Sequence, residues 1–163
     1  MTAYFEVLDR DGAARLGELR LSTPVRTPAL LDDVLVDTGS HWTAEQSIPD
    51  GDDDALTILP HRALPAGTRE EVREAFATEA VDVEYPSAAV IASESPRNLG
   101  ADAYILSDAA GFVGHGEGLK DAIVRTKDAL PADTALILSG VATPLNVASL
   151  VYAGVDGVDA RVD

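Results

Sequence analysis

The sequence contains no cysteine, which excludes disulfides, thiol nucleophiles and thiolate zinc sites. Its histidines, His41, His61 and His115, are far apart and show neither HxH nor HExxH spacing, so the sequence gives little support to a histidine metal site. No apolar run reaches the roughly 18 residues that a membrane span requires, and the acidic start "MTAYFEVLDRDG" shows no signal peptide. We therefore expect a cytoplasmic protein with no membrane partner, no metal and no cofactor.

Positive charge is also scarce. The chain has 28 acidic and 12 basic residues, a formal net charge of −16, and its only lysines are Lys120 and Lys127. Such a balance is typical of a protein kept soluble by surface carboxylates in a high-salt cytoplasm; the alternative is an acidic face for a basic partner. Because the Debye length at molar salt is about 3 Å, the acidity does not exclude an RNA substrate.

The length of 163 residues, 46% of them hydrophobic, suits a single domain with a substantial core. "AYFEVL" at 3–8 and "RLGELRL" at 15–21 flank the turn signal Asp11-Gly12, which predicts an antiparallel hairpin within residues 1–24. Residues 25–163 then read as alternating strands and helices. We expect strands at 27–31, 33–37, 55–60, 88–93, 103–108, 134–140 and 155–160, and helices at 67–80, 93–101, 116–130 and 143–154.

Strands that are apolar along their whole length and alternate with helices indicate a parallel sheet covered by helices. A complete β/α barrel typically needs 200 residues or more. The predicted fold is therefore α/β, a compact or incomplete TIM-type β/α barrel with an N-terminal antiparallel β-hairpin. No GxGxxG motif opens a helix after the first strand, so a nucleotide-binding doubly wound sheet is disfavoured.

Polar residues follow several predicted strands, where the chemistry of a parallel barrel takes place. They are Asp37 to His41, His61, Arg62, Ser93, Ser107, Asp108, Ser139, Gly140, Asp156 and Asp159. Asp37 and Asp159 could divide the roles of nucleophile and acid or base. Alternatively, Asp37 caps the turn "DTGS" and Asp159 is solvated near a frayed terminus.

The segment "SGVATP" at 139–144 joins a predicted strand to a predicted helix. Gly140 lets the backbone approach a ligand closely, Thr143 would cap the helix, and Pro144 suits its first turn. The exposed backbone N–H groups could then bind a polar or anionic group. The alternative is an ordinary turn of an α/β unit.

Two stretches of the sequence resemble the tRNA-guanine transglycosylase family. "YFEVLDRDGAARLGELRLSTPVRTPALL" at 4–31 is similar to the opening of the archaeal members, and "SGVATPLNVASLVYAGVDGVDA" at 139–160 is similar to their late segment with its "G-x-D-x-x-D" pattern. "DTGSHW" at 37–42 and "AYILSDAAGFVG" at 103–114 are similar to the segments that contact the base. The resemblance implies a barrel enzyme that exchanges guanine in tRNA for a 7-deazaguanine base.

The same resemblance implies roles for individual residues. The family's nucleophilic aspartate falls on Asp159, and the aspartate that contacts the incoming base falls on Asp37. The base pocket would be completed by Ser40, Ser107, Asp108, Gly140 and Val141.

Some residues differ from the family's motifs, and these differences resemble those of one branch of the family. Ser107 and Asp108 replace base-pocket glycines, the segment before "DTGS" is short, and the cysteine-rich zinc site is absent. These features resemble the N-terminal transglycosylase-like domain of haloarchaeal archaeosine synthases, which implies tRNA modification in archaeosine biosynthesis, with tRNA or a 7-deazaguanine base as partner. The alternative is a non-catalytic truncated barrel that packs against a partner subunit or missing C-terminal domains.

Overall fold

The computed structural model describes residues 4–37, 50–59, 69, 71, 82–94, 96–106, 109–112 and 116–159. Over these residues it shows a mixed α/β fold with two sheets. None of the described helices is long and apolar enough to cross a membrane.

The smaller sheet is antiparallel, with the order β1 (Phe5–Asp11), β2 (Ala14–Leu19) and β3 (Val25–Thr27). The predicted hairpin is confirmed, and its turn contains Gly12 with a φ of +62°, a conformation that glycine adopts without steric cost. A β-bulge between Val7 and Asp9 interrupts the ladder of β1 with β2.

The larger sheet has seven parallel strands: β4 (Ala29–Leu30), β5 (Leu35–Asp37), β6 (Leu56–Ile58), β7 (Ser87–Ile91), β8 (Ala103–Leu106), β9 (Ala135–Ser139) and β10 (Gly157–Asp159). Their order is β4-β10-β9-β8-β7-β6-β5, and every neighbouring pair is parallel. The predicted parallel sheet is therefore confirmed.

The two edge strands of this sheet follow each other directly in the chain. In a flat sheet of seven strands they would lie about 29 Å apart at the usual strand spacing. Only residues 31–34 separate β4 from β5, and that connection can span no more than about 17 Å. The sheet must therefore curl strongly. A complete TIM barrel is not seen in the ranges that the structure describes.

One turn links the two edges. The N–H of Leu31 donates to the Val158 carbonyl of β10 (2.9 Å), and the Leu31 carbonyl accepts from the N–H of Leu35 (3.1 Å). The carbonyl of Val34 then accepts from the N–H of Leu56 on β6 (2.7 Å). Segment 29–37 is thus hydrogen-bonded to β10 by its first half and to β6 by its second half.

Two helices and a short 3₁₀ helix complete the described elements. They are η1 (Ala109–Phe112), α1 (Gly116–Ala129) and α2 (Val147–Ala153). Helix α1 agrees with the prediction of 116–130. The predicted helix 67–80 lies outside the described residues apart from Arg69 and Glu71.

The prediction of a helix at 93–101 is wrong for the described residues of that segment. Side chains bind the backbone N–H groups that a helix would use: the Tyr104 hydroxyl accepts from the N–H of Leu99 (2.9 Å), and Asn98 Oδ1 accepts from the N–H of Gly100 (3.1 Å). Asparagine competes with helix formation in this way.

Apolar side chains form a core on each face of the curled sheet. The outer cluster packs under the helices and includes Ile91, Tyr104, Leu106, Ile123, Leu136, Leu138, Leu150 and Val158. The inner cluster fills the concave side and includes Leu31, Leu35, Leu56, Ile58, Ala88, Ile105 and Ile137, with Phe5 and Leu19 from the hairpin. Because side chains alternate along a strand, this division identifies the face of every strand position.

Candidate functional site

Asp159 is the last residue of β10, at the carboxyl end of the parallel sheet, and its side chain is buried with 4% relative exposure. Strand alternation gives its direction. Val158 belongs to the outer core, whereas a Cβ on Gly157 would meet Leu31 at 2.3 Å and Ile137 at 3.3 Å, both in the inner core. Asp159, two residues beyond Gly157, therefore faces the concave side.

Ser139 is the cross-strand neighbour of Asp159. The two residues pair in register at the ends of β9 and β10. Since Ile137 is inward, Ser139 is inward as well. A hydroxyl and a carboxylate thus lie side by side above an apolar floor of Leu31 and Ile137.

Gly140 begins the turn after β9. Its φ of +73° is in the left-handed region, a conformation that glycine adopts without steric cost. Its N–H donates to the backbone carbonyl of Asp159 (2.9 Å). The turn is therefore fastened directly to the strand end that carries the carboxylate. Val141 packs its side chain into the outer core, so that side chain is not directed to the concave side.

The turn before α2 differs from the sequence-based expectation. Helix α2 begins at Val147, with Asn146 at the N-cap position, and Thr143 does not cap it. Asn146 Oδ1 accepts from the N–H of Thr143 (2.7 Å), and its Nδ2 donates to the Val141 carbonyl (2.8 Å). Because the N–H groups of Gly140 and Thr143 already have partners, they are not available to an anionic ligand.

The other predicted site residues are described only in part. Asp37 ends β5 and pairs in register with Ile58, and its side chain is outside the described set. Ser40, Ser107 and Asp108 lie outside the described residues. The ladder between β8 and β9 is described as far as Leu106 opposite Leu138, one position before Ser107 and Ser139.

Asp156 was expected, with Asp159, where the last strand ends, and for Asp156 that expectation is wrong. Asp156 precedes β10, at the amino-terminal end of the sheet, about 10 Å along the strand from Asp159 at 3.3 Å per residue. Its carboxylate forms a bidentate ion pair with Arg15 of β2, through Nε (3.1 Å) and Nη2. Oδ2 also accepts from the N–H of Leu136 (2.8 Å).

Arg15 makes further contacts at this end of the sheet. It donates to the carbonyls of Ala132 (2.6 Å) and Thr134 (2.7 Å), and its guanidinium lies 5.6 Å from the centre of the Phe5 ring. Sequence reasoning missed this role, because "DGAARLG" gives no sign that its arginine reaches residues more than a hundred positions away. The pair fastens the hairpin to β9 and β10.

Two perturbed titratable groups also belong to the amino-terminal end. Burial raises the pKa of Asp102, although its carboxylate accepts a hydrogen bond from the N–H of Ser87 (3.1 Å). Burial also lowers the pKa of Lys127 to about 8, and its Nζ donates to the Gly154 carbonyl (2.8 Å). Both side chains support loops that precede strands, which is a structural role.

The described residues contain no group of three or more histidine or acidic side chains arranged to hold a metal. Two shallow depressions lie along β1 of the hairpin, one of them lined by Glu6, Val7, Arg10, Ala132 and Asp133.

Comparison with known proteins identifies the group to which this architecture is related. No family model matches the chain. An archaeosine synthase from Haloferax volcanii is 62% identical over 162 residues, which is 99% of this chain and 28% of that protein. An archaeosine synthase subunit alpha from Methanosarcina acetivorans is 33% identical over 184 residues, 98% of this chain and 29% of that protein.

The chain thus spans less than a third of the length of either curated relative. The first relative comes from a haloarchaeon, in agreement with the excess of carboxylates. The chain is a relative, along nearly its whole length, of one segment of the archaeosine synthases, and the resemblance that its motifs indicated is confirmed.

Proposed function

We propose that this chain acts in archaeosine-type tRNA modification, where it binds or acts on a 7-deazaguanine base of tRNA at the carboxyl ends of its parallel strands. One observation carries the proposal: a chain 62% identical to an archaeosine synthase directs a buried carboxylate, Asp159, to the concave side of that edge. Such an activity belongs in the cytoplasm, where tRNA is the partner.

The proposed scaffold is a reduced TIM-type β/α barrel. The support is the segment 29–37, which is hydrogen-bonded to β10 on one side and to β6 on the other. In this arrangement one kinked segment joins the two edges of the sheet. The apolar side chains of the inner cluster fill the interior, so a base binds above them and not within the barrel.

The proposed site comprises Asp159 and Asp37 as the reacting or base-holding carboxylates. Asp37 is the last residue of β5, at the carboxyl end of the parallel sheet. Ser40, Ser107, Asp108, Gly140 and Val141 complete the proposed pocket. For Gly140 the support is its hydrogen bond to the Asp159 carbonyl.

Two chemistries fit such a site. In a transglycosylase-type step, a carboxylate oxygen of Asp159 bonds to C1′ of the nucleotide while the bond from C1′ to the base breaks, and the base leaves with the electron pair. In a synthase-type step the glycosidic bond stays intact: a nitrogen nucleophile bonds to the nitrile carbon, one π bond of the nitrile opens toward its nitrogen, and that nitrogen takes up the proton that the nucleophile releases. The chain would then supply binding and orientation.

The second candidate function is a non-catalytic barrel domain. It is favoured by the length of the relatives, of which this chain spans 28% and 29%. In that role the domain would pack against a partner subunit or the remainder of the enzyme, and the chemistry would take place elsewhere.

Isothermal titration of the chain with a 7-cyano-7-deazaguanine base in molar KCl separates the two candidates. We expect binding that Asp159→Asn and Asp37→Asn each weaken at least tenfold, because each removes a charged hydrogen-bond acceptor from the base site. Asp121→Asn, on the exposed side of α1, is the matched control. A folded chain that binds no base, with both variants neutral in a reconstituted modification assay, would favour the non-catalytic domain.

A further inference from the structure

Helix α2 is an uncharged surface element in a strongly acidic protein. No charged residue occurs between Asp133 and Asp156, whereas the chain as a whole is 25% charged with a net charge of −16. Strand β9 is buried and needs no charge. Helix α2 is different, because Leu145, in the turn before it, is 97% exposed and Tyr152 is 76% exposed.

The neighbouring helix shows that the sheet does not require this composition. Helices α1 and α2 both pack on the outer core. Helix α1 has six charged residues in fourteen, Glu117, Lys120, Asp121, Arg125, Lys127 and Asp128, and α2 has none in seven. The difference lies in the exposed residues of α2, which include Tyr152 and no charged side chain.

We define the α2 face as Leu145, Val147, Ala148 and Tyr152, all of them exposed. Ala148 and Tyr152 are spaced by four residues, so they share one side of the helix, and Leu145 lies in the turn just before it. Depletion of charge together with an exposed aromatic is the composition of a protein–protein interface core.

We propose that the α2 face is the docking surface for the part of an archaeosine synthase that lies outside the segment matched here. This rests on the proposed function. About seven tenths of each relative lies outside the match, and one relative is described as a subunit alpha. A polypeptide of that size can cover the α2 face and extend over its surroundings.

Two other occupants fit less well. The α2 face offers no cation to the phosphates of tRNA. A second copy of this chain would have to pair through a helix of seven residues, about 10 Å long. Two such helices bury much less than the roughly 1,200 Å² of a stable interface.

Cysteine accessibility tests the proposal, because the chain has no cysteine of its own. Leu145→Cys and Tyr152→Cys would be labelled with a maleimide in two settings: the chain alone, and the full-length Haloferax archaeosine synthase whose matched segment is replaced by this chain. Labelling is followed by peptide-resolved mass spectrometry in molar KCl. Val124→Cys, at a 46% exposed position of α1, is the matched control.

We expect both α2-face cysteines to react at least tenfold more slowly in the full-length protein than in the chain alone, and the Val124→Cys control to react within twofold in both. Equal rates at the α2 face would overturn the proposal. Protection that develops in the chain alone as its concentration rises would identify a second copy as the occupant and would also overturn it. Base binding by the same samples is read separately, so failure of docking and failure of the proposed function are distinguishable.

Discussion

The guanidinium of Arg15 and the carboxylate of Asp156 form a buried bidentate ion pair between residues 141 positions apart in the sequence. The pair joins the hairpin to the amino-terminal end of β10, the strand whose other end carries Asp159. The same carboxylate also accepts a hydrogen bond from the N–H of Leu136 on β9. One side chain thus fixes the hairpin and two strands at the end of the sheet opposite the candidate site.

Asp156→Asn should lower the free energy of unfolding by about 3–5 kcal/mol, because it leaves the Arg15 guanidinium buried without its counter-charge. Denaturant unfolding at constant KCl measures the change. Arg20→Ala breaks the exposed pair with Glu6 and is the control, with an expected cost of about 0–1 kcal/mol. Equal effects of the two substitutions would contradict the role assigned to the buried pair.

Gly157→Ala should destabilise the protein by about 1–3 kcal/mol through overpacking. The added Cβ would lie 2.3 Å from Leu31 Cδ1 and 3.3 Å from Ile137 Cγ1 in the inner core. Gly111→Ala is the control, since a Cβ there meets nothing within 4 Å. Thermal unfolding compares the two, and Leu31→Val should recover part of the loss. A neutral Gly157→Ala would mean that the floor below Asp159 is not closely packed.

Lys127 should make stability depend on pH between about 8 and 10.5. Burial lowers its pKa in the folded protein to about 8 from 10.5; the nearby Asp156 charge opposes this shift, and Arg15 and Arg10 add to it. Between these values the unfolded chain binds about one proton more than the folded protein, so stability increases as pH rises.

The measurement is the difference in unfolding free energy between the wild-type protein and Lys127→Met as a function of pH. Contributions from tyrosines are common to both proteins and cancel. We expect the wild-type protein to gain stability relative to Lys127→Met from pH 8 to 10.5, whereas Lys120→Met, at an exposed position, should parallel the wild type. A flat difference curve would show that Lys127 is not desolvated.

Most of the described strands were predictable because they are apolar on both faces or follow a clear turn signal. The placement of β4 and β5 on opposite edges of the sheet was not predictable, since "TPALLDDVLVD" reads as two successive strands and carries no local signal for it. Tertiary pairing with β10 and β6 decides that arrangement. Helix α2 was predicted four residues too long at its start, because Asn146 occupies the N-cap position that was assigned to Thr143.

The site was only partly predictable for a similar reason. Asp156 and Asp159 look equivalent in "GVDGVDA". They lie at opposite ends of β10 because the strand begins at Gly157 and ends at Asp159. Period-two alternation could have given the inward direction of Asp159 once the strand was known. Nothing local in the sequence indicates that Asp156 binds Arg15, because ion pairs over such distances depend on the folded topology.

Tyr104→Phe should cost about 1–3 kcal/mol, although it changes one hydroxyl. That hydroxyl accepts from the N–H of Leu99 (2.9 Å) and donates to Asn98 Oδ1 (2.8 Å), so its removal leaves the buried N–H of Leu99 without this partner. Denaturant unfolding measures the loss, and the exposed Tyr152→Phe is the control, with less than about 0.5 kcal/mol expected. If the two substitutions cost the same, the Tyr104 hydroxyl does not hold the 96–101 segment in its non-helical form.

Asp156 and Asp159 provide a test within a single strand, since the same chemical change is made at its two ends. Asp156→Asn should lower stability and leave the base affinity of the folded protein within twofold, because its partners all lie at the amino-terminal end. Asp159→Asn should weaken base affinity at least tenfold, because it removes the negative charge that the proposed site carries at the carboxyl end of β10. Titration with the base and denaturant unfolding on the same samples give both quantities. If Asp159→Asn costs as much stability as Asp156→Asn and leaves affinity unchanged, the carboxylate at the end of β10 is part of the scaffold and the base site must be sought elsewhere.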